Sequence, residues 1–280
     1  MTHQSFFKKP ICTIDFETTG LSCTNGDRAI ELGIVRLEPN GRLIKWSSLI
    51  NPAIKIPRLS QSIHGINDQM VANAPLFSDV YGEIFDLLDG GYLIAHNAEF
   101  DLGFLKNECK LSQLPVPGHA LVFDTLMLAR HVFGLPRCNL ITVSERFGIP
   151  VNNAHRALHD AYNTHLIFVN MVDALIGTTH IQDPNALAEL CEESKNTASV
   201  RDFQATLIQD AIDKQLCLEV DYVSGDPSRK LIQRRVVQPI HTDGYRVLVF
   251  CHLRQAERSL RLNRILQMKG PCEAPTNGEL

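Results

Sequence analysis

Apolar and polar positions change rhythm several times along the chain. Residues 11–16 are rich in β-branched and aromatic side chains and predict a strand. Residues 29–38 and 44–50 predict two more, with Pro39-Asn40-Gly41 supplying a hairpin turn. Within residues 75–88, Val80, Ile84, Leu87 and Leu88 recur at helical spacing. Residues 92–95 and 121–123 are short apolar strands. Residues 99–110, carrying Phe100, Phe104 and Leu105, and the long amphipathic stretch 157–175 predict helices. Strands first, then strands alternating with helices, predict an α/β domain: a mixed sheet flanked by helices.

The rhythm breaks at 177–199, which holds Asp183-Pro184 and the polar run from Glu192 to Thr197, with a short helix predicted at 185–191. Beyond it, residues 202–216 predict a helix with Phe203, Leu207, Ile208, Ala211 and Ile212 on one side. Closely spaced strands follow at 218–222, 231–240, 245–252 and 259–262. One helix and several short strands predict a small β-barrel, or a sheet packed by a helix. The expected organisation is therefore a first domain at 1–176, a linker at 177–199, a second domain at 200–270 and a flexible tail at 271–280.

Charge sharpens this division. The net formal charge is −4, but residues 1–198 carry 15 Lys and Arg against 21 Asp and Glu, whereas residues 199–270 carry 12 against 8. An acidic domain is joined to a basic one. No apolar run approaches the roughly 20 residues that a bilayer span needs, and the first ten residues lack the features of a signal peptide. A cytosolic protein without membrane contact is expected. The cysteines at 12, 23, 109, 138, 191, 217, 251 and 272 form no C-x-x-C pair, which argues against a structural zinc and a disulfide framework.

The candidate chemistry lies in the acidic part. On a strand, Asp15 and Glu17 point to one face while Ile14 and Phe16 point to the other. Two carboxylates side by side repel unless a cation lies between them, and a divalent metal meets that need. Asp101 falls in the first turn of a predicted helix, just after His96-Asn97. Asp160 falls on the long helix, with His155 at its lead-in. Each feature alone has an ordinary explanation: a solvated strand end, a helix cap, a surface imidazole.

Together, three segments resemble the DEDDh exonucleases, the family of the proofreading subunit of bacterial DNA polymerase III, ribonuclease T and oligoribonuclease. Asp15-Phe-Glu-Thr-Thr-Gly20 meets D-x-E-T-T-G, His96 to Asp101 meets H-N-x-x-F-D, and His155 to Asp160 meets H-x-A-x-x-D. Ser62-Ile-His64-Gly65-Ile66 is also similar to the family, and the resemblance spans roughly residues 8–175. It implies a ribonuclease-H-like five-stranded mixed sheet and stepwise hydrolysis from a 3′ end to nucleoside 5′-monophosphates. It further implies two divalent ions, Mg²⁺ or Mn²⁺, ~3.5–4 Å apart. By the same resemblance Asp15 bridges both ions, Glu17 and Asp160 complete one, Asp101 supports the other, and His155 is the general base. An imidazole, titrating ordinarily near ~6.5, suits that task. Backbone N–H groups of Thr18, Thr19 and Gly20 are expected to hold the terminal nucleotide, with Leu21, His64, His96, Asn97 and Phe100 around it.

In the basic part, Arg235 to Pro239 and the run Arg258 to Ile265 resemble a WYL domain, with Tyr245-Arg246-Val247 where the name-giving tripeptide stands. This implies an Sm/SH3-like barrel that binds nucleic acid or a nucleotide-like ligand through Arg235, Tyr245, Arg258 and Arg264. Nucleic acid is the expected partner, DNA ahead of RNA. An RNA or short-oligonucleotide trimmer and a non-catalytic nucleotide-sensing regulator are the alternatives. Homodimer formation and polymerase association stay open at this point.

Overall fold

The computed structural model describes residues 3–135, 137–151, 155–176, 181–191, 207–224, 231–243 and 246–272. The chain divides into two compact units. The first comprises residues 1–126, 139–173 and 183–188; the second comprises 127–138, 174–182 and 189–280. Residues 127–138 thus cluster with the second unit although their sequence neighbours belong to the first, an interleaving that local periodicity does not express. Among the described residues no helix is long and apolar enough to cross a membrane.

In the first unit, β1 (Ile11–Thr18), β2 (Ala29–Leu37), β3 (Leu43–Leu49), β4 (Gly91–Ala95) and β5 (His119–Asp124) form a sheet of order β3-β2-β1-β4-β5. The β1–β2 and β2–β3 pairs are antiparallel; β1–β4 and β4–β5 are parallel. This is the mixed five-stranded sheet that the sequence predicts. The helices that matter to the site are α1 (Arg58–His64), α2 (Phe77–Leu88), α3 (Ala98–Leu111) and α4 (Ala157–Leu175).

Strand β1 occupies the centre, and its alternation sorts its two faces. Cys12, Ile14 and Phe16 join one buried cluster with Ile84 and Leu88 of α2 and Phe104, Leu105 and Cys109 of α3. Burying a side chain of that size contributes about 1.5–3 kcal/mol. The odd-numbered residues face the other way, where Thr13 Oγ1 meets His165 Nδ1 of α4 at 3.3 Å. Asp15 and Glu17 therefore share the α4 side. A buried ion pair ties β2 to α3: Arg28 donates to both oxygens of the fully buried Glu108 at 2.9 and 2.8 Å, and the Ala29 N–H adds a third bond at 3.0 Å.

Helix α1 has no counterpart in the sequence reading. Its apolar residues Leu59 and Ile63 point outward, 75% and 53% exposed, so no inward stripe advertises it. Gly65, at φ 73°, ends it in the left-handed conformation that glycine adopts freely.

In the second unit, residues 207–213 are helical, and the rest of the predicted 202–216 helix toward its start lies outside the described residues. Strands β6 (Cys217–Val223), β7 (Ile232–Thr242), β8 (Arg246–Cys251), β9 (Ala256–Arg261) and β10 (Ile265–Cys272) form an antiparallel sheet of order β10-β6-β7-β8-β9. Ile208 and Ala211 pack into its core with Leu218, Val220, Val237, Val249 and Leu260. Strand β10 runs to Cys272, which pairs with Cys217, and the rest of the expected tail, 273–280, lies outside the described residues. Gly270-Pro271 reads as a breaker, but β10 is at an edge of the described sheet, where proline is tolerated. A barrel was expected; the described pairings make up a five-stranded sheet, and a β9–β10 pairing is not among them.

Candidate metal centre

The first and third motif segments meet on the α4 side of β1, and the second reaches the same strand through Asp101. Ligand atoms of Glu17, His155 and Asp160 all lie within 4.8 Å of one another. Asp101, in the first turn of α3 and 2% exposed, accepts the Phe16 N–H at 2.9 Å, which fixes its carboxylate against β1 between Asp15 and Glu17. His155 is exposed, sits at φ 68° and donates its own N–H to Asp160 Oδ2 at 3.1 Å. Histidine is among the few non-glycine residues that favour this left-handed region.

Burial and mutual repulsion push these carboxyls up. Asp15 is raised well above the ordinary range, first by burial and then by Asp101, Asp160, Glu17 and Glu31. Glu17 is raised to about 8 by burial, Asp160 and Glu31, with Arg156 acting the other way. Asp101 and Asp160 are raised as well, again chiefly by burial. Hydrogen bonds from the Phe16 and His155 N–H groups oppose the rise at Asp101 and Asp160 respectively. A set of buried carboxylates that cannot all ionise together is the donor set a hard divalent cation fits, because the cation removes the repulsion.

That electrostatic conflict gives a pH signature. The folded pKa of Glu17 lies above its unfolded value, so its contribution to stability is fully present below about 4.5 and is lost as pH rises through about 8. In EDTA the first unit should therefore melt lower at pH 8 than at pH 5. A divalent cation held by these carboxylates would favour their ionised form, so added Mg²⁺ or Mn²⁺ should raise the melting temperature at pH 8 far more than at pH 5. Thermal melts at both pH values, with and without metal, check this; identical profiles with and without metal would refute it.

The residues expected around a terminal nucleotide divide. Leu21, Asn97 and Phe100 line one cavity of about 270 Å³, together with Ser22, Cys23, Glu99, Gly103 and Phe104. Leu21 is 87% exposed, whereas Phe100 packs against Phe104 with ring centroids 4.9 Å apart. The turn after β1 is tied into the fold at several of these residues. The Thr19 N–H donates to the Arg28 carbonyl at 2.9 Å and is not free to hold a nucleotide. Gly20 is required by a close approach within the fold: a Cβ there would lie 2.3 Å from the Asp27 carboxylate, which accepts the Ser22 N–H at 3.0 Å. Thr18 Oγ1 donates to the Gly20 carbonyl at 2.6 Å. His64 is buried, accepts the Ile66 N–H at 3.0 Å, and has its pKa lowered by burial and by the nearby His155, with the Thr18 carbonyl and Glu31 opposing. His96 Nδ1 meets Thr125 Oγ1 at 2.8 Å, and that hydroxyl donates to the Ala95 carbonyl, a strap across the end of β4.

Sequence reasoning did not single out the groups that seat the site-bearing helices. Asn97 opens α3 at φ 77° without capping it through its side chain. Asp124, at the end of β5, takes over by accepting the Asn97, Ala98 and Leu126 N–H groups at 3.1, 3.0 and 2.8 Å. Glu31 of β2 plays the matching part at α4. The contacts to Asn97, Ala98 and Ala157 are long-range, with no local signal.

In the second unit, the Arg235 guanidinium lies 4.9 Å from the Tyr222 ring centroid and donates to Gln233 Oε1 at 2.6 Å. Arg264 Nε donates to the Gly134 carbonyl at 3.0 Å, and Arg258 is exposed on β9. Tyr245 lies outside the described residues.

Comparison with known proteins identifies a family for each part of the chain. Residues 12–168 match the RNase T-type exonuclease model, and residues 205–269 match the WYL domain model. The 3′-5′ exonuclease DinG of Bacillus subtilis (strain 168) is 40% identical over 170 residues, 60% of this chain and 18% of that protein. The DNA polymerase III subunit epsilon of Treponema pallidum (strain Nichols) is 36% identical over 161 residues, 56% of this chain and 74% of that protein. This chain therefore spans less than a fifth of the Bacillus relative. Among solved structures, exonuclease X in complex with 5′ overhanging duplex DNA shares the fold with a TM-score of 0.51 at 24% identity, covering 65% of this chain and 99% of that one.

Proposed function

Because the chain belongs to the RNase T-type exonuclease family, we propose that it is a metal-dependent DEDDh exonuclease that removes nucleoside 5′-monophosphates from the 3′ end of a strand, DNA in preference to RNA. The observation that carries this reading is the approach of Glu17, His155 and Asp160 within 4.8 Å on the side of β1 that also bears Asp15. The raised pKa values of Asp15, Glu17 and Asp160 fit a donor set for a divalent cation.

In this mechanism Asp15, Glu17, Asp101 and Asp160 hold two divalent ions, Mg²⁺ or Mn²⁺. When bound, such ions activate water, offset charge on the phosphoryl oxygens and stabilise the leaving 3′ oxygen. His155 accepts the proton of the attacking water; its exposed position lets it pass that proton on to solvent. Leu21 and Phe100 bound the cavity for the terminal nucleotide, with Leu21 free to wedge beside its base. The catalytic domain is taken as 1–176 and the linker as 177–199. The second domain, 200–270, is an Sm/SH3-like barrel that holds or senses the strand through Arg235, Arg258 and Arg264. Support for closure comes from the Arg261 N–H on β9, which reaches Tyr222 Oη on β6 at 3.4 Å.

Incubation with 5′-labelled single-stranded DNA, matched RNA and mismatched duplex, in Mg²⁺, Mn²⁺ or EDTA, tests the reading. A metal-dependent ladder shortening from the 3′ end is expected, fastest on DNA. Binding of these strands without shortening of any would overturn it in favour of a nucleotide-sensing scaffold.

A further inference from the structure

We propose that Glu31, Gly33 and Arg156 form a seat that positions His155 and Asp160 against Glu17, and that these three are positioning residues for the reaction. The inference rests on the metal-dependent exonuclease reading above.

Strand β2 runs antiparallel to β1 with Glu31 opposite Glu17 and Gly33 opposite Asp15. Directly opposed residues share a face of the sheet, so Glu31 and Gly33 point to the side where α4 packs. Glu31 is 3% exposed and its carboxylate oxygens are committed. Arg156 Nε reaches both at 3.2 and 3.1 Å, Arg156 Nη2 reaches Oε1 at 2.7 Å, and the Ala157 N–H reaches Oε2 at 3.1 Å. One carboxylate thus caps the first turn of α4 and grips the residue beside His155. Gly33 lets the turn come down. A Cβ there would lie 2.4 Å from the Ala157 carbonyl carbon and oxygen and from the Leu158 nitrogen.

The geometry passes directly to the chemical groups. His155 precedes Arg156 and takes a left-handed backbone, and its N–H reaches the side chain of Asp160, one turn beyond Ala157. Shifting that turn by an ångström moves Asp160 and His155 together, away from Glu17. A bidentate guanidinium fixes direction as well as distance, which a lysine ammonium does not. Contacts behind a metal ligand of this kind are typically worth ~10–100-fold in affinity or activity.

Gly33→Ala disturbs the seat sterically and Arg156→Lys keeps the charge but loses the fork, so the two variants share no chemistry except the proposed one. Both are compared with wild type and Asp160→Ala for kcat and KM on 5′-labelled single-stranded DNA. Mn²⁺ affinity is read separately, without turnover, from the electron paramagnetic resonance of free Mn²⁺. Expected in both variants are a kcat lower by ~10–100-fold, a KM within about twofold, and a weaker Mn²⁺ Kd by ~10–100-fold. Should Gly33→Ala fail to fold, Arg156→Lys, whose side chain is 45% exposed in wild type, carries the test. The seat is overturned if wild type is active and Asp160→Ala is not, yet both folded variants keep kcat and Mn²⁺ affinity within twofold. A raised KM at unchanged kcat also overturns it, in favour of a substrate contact. If wild type binds Mn²⁺ without cleaving DNA, the nuclease reading fails and the Mn²⁺ shifts alone decide the seat. If wild type neither binds Mn²⁺ nor cleaves, both fall.

Discussion

Asp15→Asn should lose at least about 10³-fold in metal-dependent 3′ shortening, the upper range for removing one preorganised charge-stabilising group, while melting higher than wild type in EDTA at pH 8. The two effects have one cause. Asp15 is held on the central strand among Asp101, Asp160, Glu17 and Glu31, and burial with their repulsion raises its pKa well above the ordinary range. Its folded pKa exceeds its unfolded value, so its contribution to stability is lost as pH rises. Asparagine has the same shape and does not titrate. The variant's advantage should be absent in acid and grow toward pH 8, reaching about 1–2 kcal/mol, in the usual range for relieving a strained functional site. Paired melts at pH 5 and pH 8 and a gel assay measure both arms. A variant that cleaves like wild type, or that melts lower at pH 8, would refute the assignment of Asp15 to a cation site.

Removal of the imidazole should have the next largest effect. His155 occupies φ 68°, a conformation that asparagine also tolerates. His155→Asn therefore deletes the base while keeping the turn and the N–H bond to Asp160. A general base of this kind supplies ~10²–10⁴ in rate, so kcat should fall by that factor with Mn²⁺ affinity little changed. Because the side chain is exposed, imidazole added to the buffer should restore part of the lost rate. If Mn²⁺ affinity falls in step with rate and imidazole restores nothing, His155 is a ligand and not the base.

Much of the first unit was legible because its signals are local. The β1 alternation assigned Asp15 and Glu17 to one face and Ile14 and Phe16 to the other, and the burial of Ile14 and Phe16 follows that pattern. The predicted boundaries of the 157–175 helix coincide with Ala157–Leu175. Helix α1 was invisible because its apolar residues face outward.

Residue spacing was enough to read most strands and helices of the first unit, since periodicity acts over a few residues, and the resemblance of three short motifs to the DEDDh exonucleases named the carboxylates and the histidine. Only the tertiary structure decided what those groups rest on. Glu31 lies 125 positions from Arg156 in sequence, and Asp124 lies 26 from Ala98. Neither carries a local mark that separates it from any other acidic residue. Such contacts exist only after the sheet register sets Glu31 opposite Glu17 and the helices close over it. Register depends on which strands meet, a property of the whole chain and not of any window within it.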